Sequence, residues 1–311
     1  MIRMPMDILE QYPVRKSGKQ KQAFRDAVEK YAHWLDYETA VEKGSFGAKN
    51  LIIGNPEKAE YLLTAHYDTC ARLPFPNLIT PCNFWTFLAY QLFVVAVIFA
   101  AAGICGGIVY LLSSDGFLAY WTGYMLIWVM LVLMMVGPAN RHNANDNTSG
   151  VVAVLEMARS LPKNRRDKVC FVLFDLEEAG LLGSASYRKT HKKNTDHQIV
   201  LNLDCVGDGD EILMFPTRKL RKDDQKMKRL RSACGSWGEK SISLCERGFS
   251  VYPSDQANFP FGVGIAAMRR GKRGILYCSR IHTHKDTNLE ITNVNILRAS
   301  LVSMICSPAA E

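Results

Sequence analysis

Two apolar runs constrain this 311-residue chain more than anything else in it. "FWTFLAYQLFVVAVIFAAAGICGGIVYLL" runs from Phe84 to Leu112, and "FLAYWTGYMLIWVMLVLMMV" from Phe117 to Val136. Each reaches the ~20 apolar residues that a helix needs to cross a bilayer. Only "SSDG" separates them, and Asp115 is the one formally charged residue between Phe84 and Asn140. Trp85, Tyr90, Tyr110, Tyr120, Trp121 and Tyr124 stand toward the run ends, where an interfacial aromatic belt belongs. The pattern predicts a two-helix transmembrane hairpin, about 84–112 and 117–136. The competing expectation is a buried helical hairpin in a soluble core. Two uninterrupted spans of this length weigh against it.

A hairpin returns the chain to the side it left. Residues 1–83 and 137–311 are therefore expected to form one domain, with 84–136 inserted into it. The tip carries no Lys or Arg, whereas Arg72 and Arg141 flank the base and the chain's net charge is +8. Positive charge stays on the cytoplasmic side. The expectation is an integral protein of the plasma membrane with its large domain cytoplasmic. The N-terminus shows no apolar core of the signal-peptide kind. Nine cysteines, an odd number without paired spacing, fit reduced thiols. Much of the charge is clustered, in "RKLRKDDQKMKRLR" (218–231) and "RRGKR" (269–273). No nucleic-acid recognition motif accompanies it, so nucleic acid is not an expected partner. Anionic lipid headgroups beside the bilayer account for it more simply, as does plain solvation of a basic helix face.

Outside the two runs, strand-like and helix-like segments alternate. Apolar periodicity predicts helices over 18–35, 148–161, 180–191 and 292–307, and over the basic segment after 217. Strand-like runs lie at 48–54, 60–68, 168–176, 197–207, 211–217, 241–246, 264–268 and 274–280. "NPEK" between the first two is a turn signal and predicts that they form a hairpin. The expected class is α/β, a mixed, mainly parallel sheet sandwiched by helices, with the transmembrane hairpin inserted.

In such sheets ligands gather at the carboxyl ends of strands. Five segments deliver a His or a carboxylate there: His66 and Asp68 after "EYLLTA", Asp146 ahead of a helix, Glu177 and Glu178 after "KVCFVLFDL", Asp204 after "HQIVLNL", and His282 in "HTHKDT". Taken singly, each has a bland reading, such as Asp146 as a helix cap or Glu177 as a helix-start acid. Five together suit a divalent ion such as Zn²⁺, without cysteine ligands, and five ligands suit two ions sharing a carboxylate. One Glu of the adjacent pair is then free to act as a base.

The series "HYDT … DNTSGVVAVLE … FDLEEAGLLGS … NLDCVG … IHTHKDT" resembles the co-catalytic zinc aminopeptidases of the bacterial leucyl aminopeptidase and aminopeptidase Y type. The resemblance covers about residues 20–71 and 139–305. It implies a zinc aminopeptidase (phosphorylase/hydrolase-like) fold and a peptide substrate cleaved at its N-terminus. It implies that His66 and Asp204 hold one Zn²⁺, that Glu178 and His282 hold the other, and that Asp146 bridges them. Glu177 would be the general base. Asp68 would accept a hydrogen bond from His66, and Asp286 would support His282. A cis peptide bond after Asp146 would also follow, and His282 is selected over His284 by its spacing. In "YPSDQANF" Gln256 stands where many relatives have His, which leaves Tyr252, Ser254 and Asp255 as candidate substrate-binding residues of open preference. Two other functions fit the motifs: a single-zinc acyltransferase of the glutaminyl cyclase kind, and a peptidase-like membrane scaffold without activity. Because the hairpin enters between His66 and Asp146, its helices are expected to leave from the catalytic face, favouring membrane-proximal or apolar peptides.

Overall fold

The fold was analysed in a computed structural model, which describes residues 2–246 and 248–307. In chain order the strands are β1 (Thr39–Lys43), β2 (Lys49–Ile53), β3 (Tyr61–His66), β4 (Val169–Phe174), β5 (Ile199–Leu203), β6 (Glu211–Pro216), β7 (Gly235–Trp237), β8 (Lys240–Leu244), β9 (Gly262–Arg270) and β10 (Leu276–Tyr277). The helices are α1 (Asp7–Gln11), α2 (Gly18–Trp34), α3 (Phe84–Ser113), α4 (Gly116–Val136), α5 (Gly150–Ser160), α6 (Leu182–Thr190), α7 (Lys192–Thr195), α8 (Asp224–Arg231) and α9 (Ile291–Cys306).

The strands form one mixed sheet in the order β1-β2-β4-β3-β5-β9-β6-β8-β7, with β10 on β9. Its centre, β4-β3-β5-β9, is parallel. The flanks are largely antiparallel, so the sheet is parallel at its centre only, and the expectation of a mainly parallel sheet is corrected. The expected hairpin of 48–54 with 60–68 does not form either. β4 lies between β2 and β3, and β2 pairs with β1 instead. The strand-like run at 274–280 contributes two paired residues, because the chain turns away after Tyr277.

Both faces of the central strands are buried, which is why they read as unbroken apolar runs. Side chains alternate across the sheet with period two. Leu63, Phe171, Leu173, Leu201 and Ile265 pack with Val28 of α2, Val154 of α5 and Leu301 of α9. Leu62, Cys170, Val172 and Val200 pack on the other face with Tyr187 of α6 and Phe259. Each fully buried Leu, Val or Phe contributes roughly 1.5–3 kcal/mol by leaving water.

α3 and α4 match the two apolar runs to within a residue or so at each end. Asn83 caps α3 by accepting from the Thr86 N–H, and the Asp115 carboxylate caps α4 by accepting from the Phe117 and Leu118 N–H groups. Their backbones approach closely through small residues. A Cβ on Gly106 would lie 2.9 Å from the Ala119 carbonyl oxygen, and one on Gly123 would lie 3.0 Å from that of Ala102. Only 17% of the most apolar stretch of α3 and 6% of that of α4 are buried, so neither is a core helix of the domain. At the base the chain is clamped. Ala71 bridges Ala139, and the Arg72 N–H donates to the Pro138 carbonyl.

Gly183, in the first turn of α6, marks how tightly that helix seats against the end of β4. A Cβ there would strike the Asp175 carbonyl and the Asn50 side chain, and Asn50 holds the same junction by donating to the Gly183 carbonyl and accepting from the Asp175 N–H. Gly183→Ala is expected to destabilise the fold by about 1–3 kcal/mol. A denaturation midpoint unchanged from that of the unsubstituted chain would contradict this packing.

Candidate metal centre

The carboxyl ends of β3, β4 and β5 lie side by side and present His66, Glu177 with Glu178, and Asp204 to one place. His66 is the last residue of β3, and Asp204 follows β5 directly. The chain returns after β10 to bring in His282, whose backbone is in the left-handed region. Asp146 comes from Ala144–Ser149, a tight coil ahead of α5 in which Asp146 and Asn147 leave helical geometry. The Asp146–Asn147 peptide bond is cis.

Asp146 divides its carboxylate. Oδ1 lies 3.2 Å from His66 Nε2, and Oδ2 lies 2.9 Å from His282 Nε2. Asp204 Oδ1 lies 3.6 Å from His66 Nε2, and Glu178 Oε1 lies 3.6 Å from His282 Nε2. Among the described residues three overlapping donor groups result: His66 with Asp146 and Asp204, His282 with Asp146 and Glu178, and His66 with Glu177 and Glu178. All five residues that the sequence nominates as ligands meet at this place. His284, His142, His33 and His197 are exposed, and His191 pairs with Glu42.

Cys70 is a residue that sequence reasoning missed. Its sulfur joins the second donor group, although cysteines had been set aside. Four residues beyond His66 was its only signal. Burial holds its thiol well above the usual range, and Glu178, Asp146 and Asp286 add to the effect.

The supporting residues partly differ from expectation. Asp68 Oδ1 faces His66 Nδ1 at 3.5 Å, long for a hydrogen bond. Its carboxylate instead accepts from the Glu177 N–H at 3.1 Å and the Glu178 N–H at 3.3 Å, tying the β3 exit to the β4 exit. Asp286 was expected beside His282. It accepts instead from the Asn145 N–H at 2.8 Å and the Asp146 N–H at 3.0 Å, and so holds the shared carboxylate's own backbone.

The rest of the segment around Asp146, "NANDNTSG" (143–150), is equally committed. Asn147 donates to the Leu203 carbonyl and accepts from Gly150 and Cys205 N–H groups. Ser149 accepts from the Val206 N–H, and Asn145 Oδ1 from the Gly207 N–H. Arg15, fully buried and carried by no motif, donates to the Tyr67 carbonyl and to the Thr148 hydroxyl. It joins the His66 turn to the Asp146 coil. Asp175 and Asp208 are structural: Asp175 pairs with Lys21 at 2.7 Å, and Asp208 accepts from Asn288 and faces Arg280.

Electrostatics follow from crowding acids in a buried place. Burial raises the Glu177 carboxyl well above the usual range; His66 opposes this, and Glu178, Asp255 and Asp204 add to it. Burial likewise raises Glu178 to about 8 against the pull of His282, and raises Asp286 to about 8 with help from Asp146. Asp146 goes the other way. Burial opposes its charge, but His282 and His66 hold it well below the ordinary carboxylate range. Burial would lower His282, yet Glu178 and Asp146 raise it to about 9. The set is a buried concentration of negative charge.

A cleft of about 450 Å³ opens onto these groups. Tyr252 and Pro253 line it, together with Ile79 and Ile281. Ser254 and Asp255 do not line it. Ser254 accepts from Asn202, and burial raises the unpartnered Asp255 carboxyl to about 7. Gln256 is buried with them, donating to the Tyr252 carbonyl and accepting from Asn202, and so fixes the backbone behind the cleft wall. Phe87 and Gln91 of α3 and Met135 of α4 also line it, so the hairpin does leave from this face.

Residues 132–304, more than half of the chain, match the family described as Peptidase family M28. Over 130 residues the chain is 34% identical to Aminopeptidase YwaD of Bacillus subtilis (strain 168); the match covers 38% of this chain and 29% of that protein's length. A Zn-dependent exopeptidase from Parabacteroides distasonis ATCC 8503 shares the fold with a TM-score of 0.59 at 16% identity, over 96% of this chain and 94% of that one. The LapA aminopeptidase of Legionella pneumophila gives 0.55 at 14% identity, over 98% and 69%. A glutaminyl cyclase of Macrostomum lignano gives 0.54 at 13%, over 97% and 88%. The fold, the site's geometry and the family match agree: the chain belongs to peptidase family M28.

Proposed function

We propose that the chain is a membrane-anchored metallo-aminopeptidase that holds two divalent ions, Zn²⁺ by the chemistry of its donors. The observation that carries this reading is the divided carboxylate of Asp146, with one oxygen in each of two donor groups. Nitrogen and carboxylate donors suit zinc. The buried Glu178 Oε1 has no hydrogen-bond partner, as a ligand oxygen would not. His66, Asp204 and Asp146 would hold one ion, and Glu178, His282 and Asp146 the other. When bound, such ions make a water acidic and polarise the scissile carbonyl.

Glu177 handles the proton. It lines the cleft, and its raised proton affinity suits a group that takes a proton from the attacking water and returns it to the leaving amine. The carboxylate-rich end of the cleft suits the positive α-amino group of a peptide. Two complete donor groups favour this reading over a single-zinc cyclase, and the retained Glu177 favours it over an inactive scaffold.

Membrane anchoring is supported by α3 and α4. At 30 and 21 residues they are ~45 Å and ~31 Å long, against a hydrocarbon core of ~30 Å. Their exposed apolar surface far exceeds what soluble monomers leave in water. The basic segment lies near the hairpin base. Arg218 and Arg221 share a cavity with Phe249, whose ring meets Phe84 at the start of α3. Positive charge beside the hairpin base suits contact with headgroups and supports a cytoplasmic domain at the plasma membrane.

Glu177→Gln is expected to lower kcat on leucyl amides by about 10²–10⁴-fold, with two ions still bound per chain. Full activity, or a single ion, would refute the mechanism. Asp286→Asn turns one acceptor toward a backbone N–H into a donor. It is expected to weaken metal binding about 10- to 100-fold in a chelator competition, and unchanged affinity would remove Asp286 from the site. The full chain is expected to stay in the membrane pellet after alkaline carbonate extraction. Its release into the supernatant would overturn the anchoring.

A further inference from the structure

The hairpin supplies part of the cleft itself. Phe87, Gln91 and Met135 line the same cavity as His66, Asp146, Glu177 and His282. This contact is built, not incidental. Val251, beside Tyr252, donates its N–H to the Pro81 carbonyl ahead of α3, and the Lys16 ammonium lies 3.5 Å from the Met135 carbonyl at the end of α4. Tyr90 of α3 donates to the Pro76 carbonyl.

The depth of the cleft relative to a bilayer follows from helix lengths. Gly106 opposes Ala119 and Gly123 opposes Ala102, an antiparallel register that sets Met135 level with Tyr90. The polar tip, Ser113 to Asp115, marks one surface of the hydrocarbon. α4, ~31 Å long, then ends at the other surface, near Val136 and Ala89. Phe87, Gln91 and Met135 sit within about one helical turn of that level. Apart from the His and carboxylate groups of the site, no described residue lining the cleft carries charge; its walls include Ile79, Tyr252, Pro253 and Ile281.

We infer that the bases of α3 and α4 form the membrane-side wall of the substrate cleft, and that the substrate is a peptide presented from the bilayer surface, its chain running along Phe87 and Met135. This rests on the peptidase reading. An anchored peptide must approach from the hairpin side, whereas a free one can enter from the open side. Phe87 and Met135 are then specificity-determining for presentation.

The test uses the full, zinc-loaded chain in vesicles of phosphatidylcholine and phosphatidylglycerol. Two peptides share one N-terminal sequence, and one of them carries a C-terminal acyl chain that inserts in the vesicle. The ratio of kcat/KM, anchored over free, is expected to fall about tenfold in Phe87→Ala. Met135→Gln, similar in volume but polar, should move the ratio the same way and covers the case in which the alanine variant does not fold. A ratio unchanged in both variants means that anchoring acts by shared location alone, and overturns the inference. A second readout does not depend on turnover. Photoreactive benzoylphenylalanine is placed at position 87 or 135 of the Glu177→Gln chain, with position 237 on the exposed Trp237 turn as control. Crosslinking of the anchored peptide at 87 and 135 but not at 237 supports the wall, even if no aminoacyl substrate is hydrolysed and the peptidase reading fails. Equal or no crosslinking at the three positions sinks it.

Discussion

The site turns on one carboxylate shared between two imidazoles. Asp146 reaches His66 with one oxygen and His282 with the other, and both histidines keep it ionised against the cost of burial. Such a group is useful only if its position is fixed, and the surrounding chain is spent on fixing it. Asp286 takes both N–H groups leading into it. Asn145, Asn147 and Ser149 bond to the backbone that leaves β5, carrying Asp204 with them. Arg15 reaches across to the strand end that carries His66. The polar coil after the hairpin is thus a buried hub whose polar groups are met by protein partners.

Crowding acids in a buried place has a predictable cost. Glu177 and Glu178 are driven toward their neutral forms by burial first, and then because their neighbouring carboxylates outnumber the two imidazoles. Two ways of relieving that surplus are to bind protons or to bind cations. Glu178 faces His282 and has an unpartnered oxygen, which fits the second way. Glu177 is in no short ion pair with either imidazole, which leaves it free for proton transfer. Adjacent in sequence, the two carboxylates both reach His66, and what distinguishes them is that only Glu178 also joins His282 and Asp146.

Much of this was legible in the sequence. Helices α3 and α4 fall on the two apolar runs, and α2, α5 and α9 on their periodic segments, because local patterning decides them. Most of the His and carboxylate positions were legible through their place after strands, and Asp146 through its place ahead of a helix. Strand neighbours were not. β2 and β3 read as a hairpin because only a short turn separates them, yet β4 enters between them from a hundred residues away. A strand buried on both faces shows no alternation and so does not reveal what lies beside it. Arg15 and Cys70 carry no motif; only the fold brings them to the site. In "YPSDQANF" the pattern named three neighbours alike, but only Tyr252 faces the cleft, while Ser254 and Asp255 lie behind it.

The position of the insertion explains how one fold can accept a long apolar hairpin beside its site. Ala71 and Ala139 are bridged, so the two ends of the inserted segment are already held together by the domain. Closing a loop between fixed ends costs little more as it lengthens, and here most of the length is paid back by α3 packing on α4. The candidate ligands on either side, His66 and Asp146, are set by β3 and by the buried coil, and the hydrogen bonds that fix them come from the domain. What depends on the hairpin is the cleft wall: remove α3 and α4 and the ligands keep their supports, but Phe87, Gln91 and Met135 are gone from the lining. Chemistry and access are therefore separable in this chain, the first resting on the sheet and the second on the hairpin.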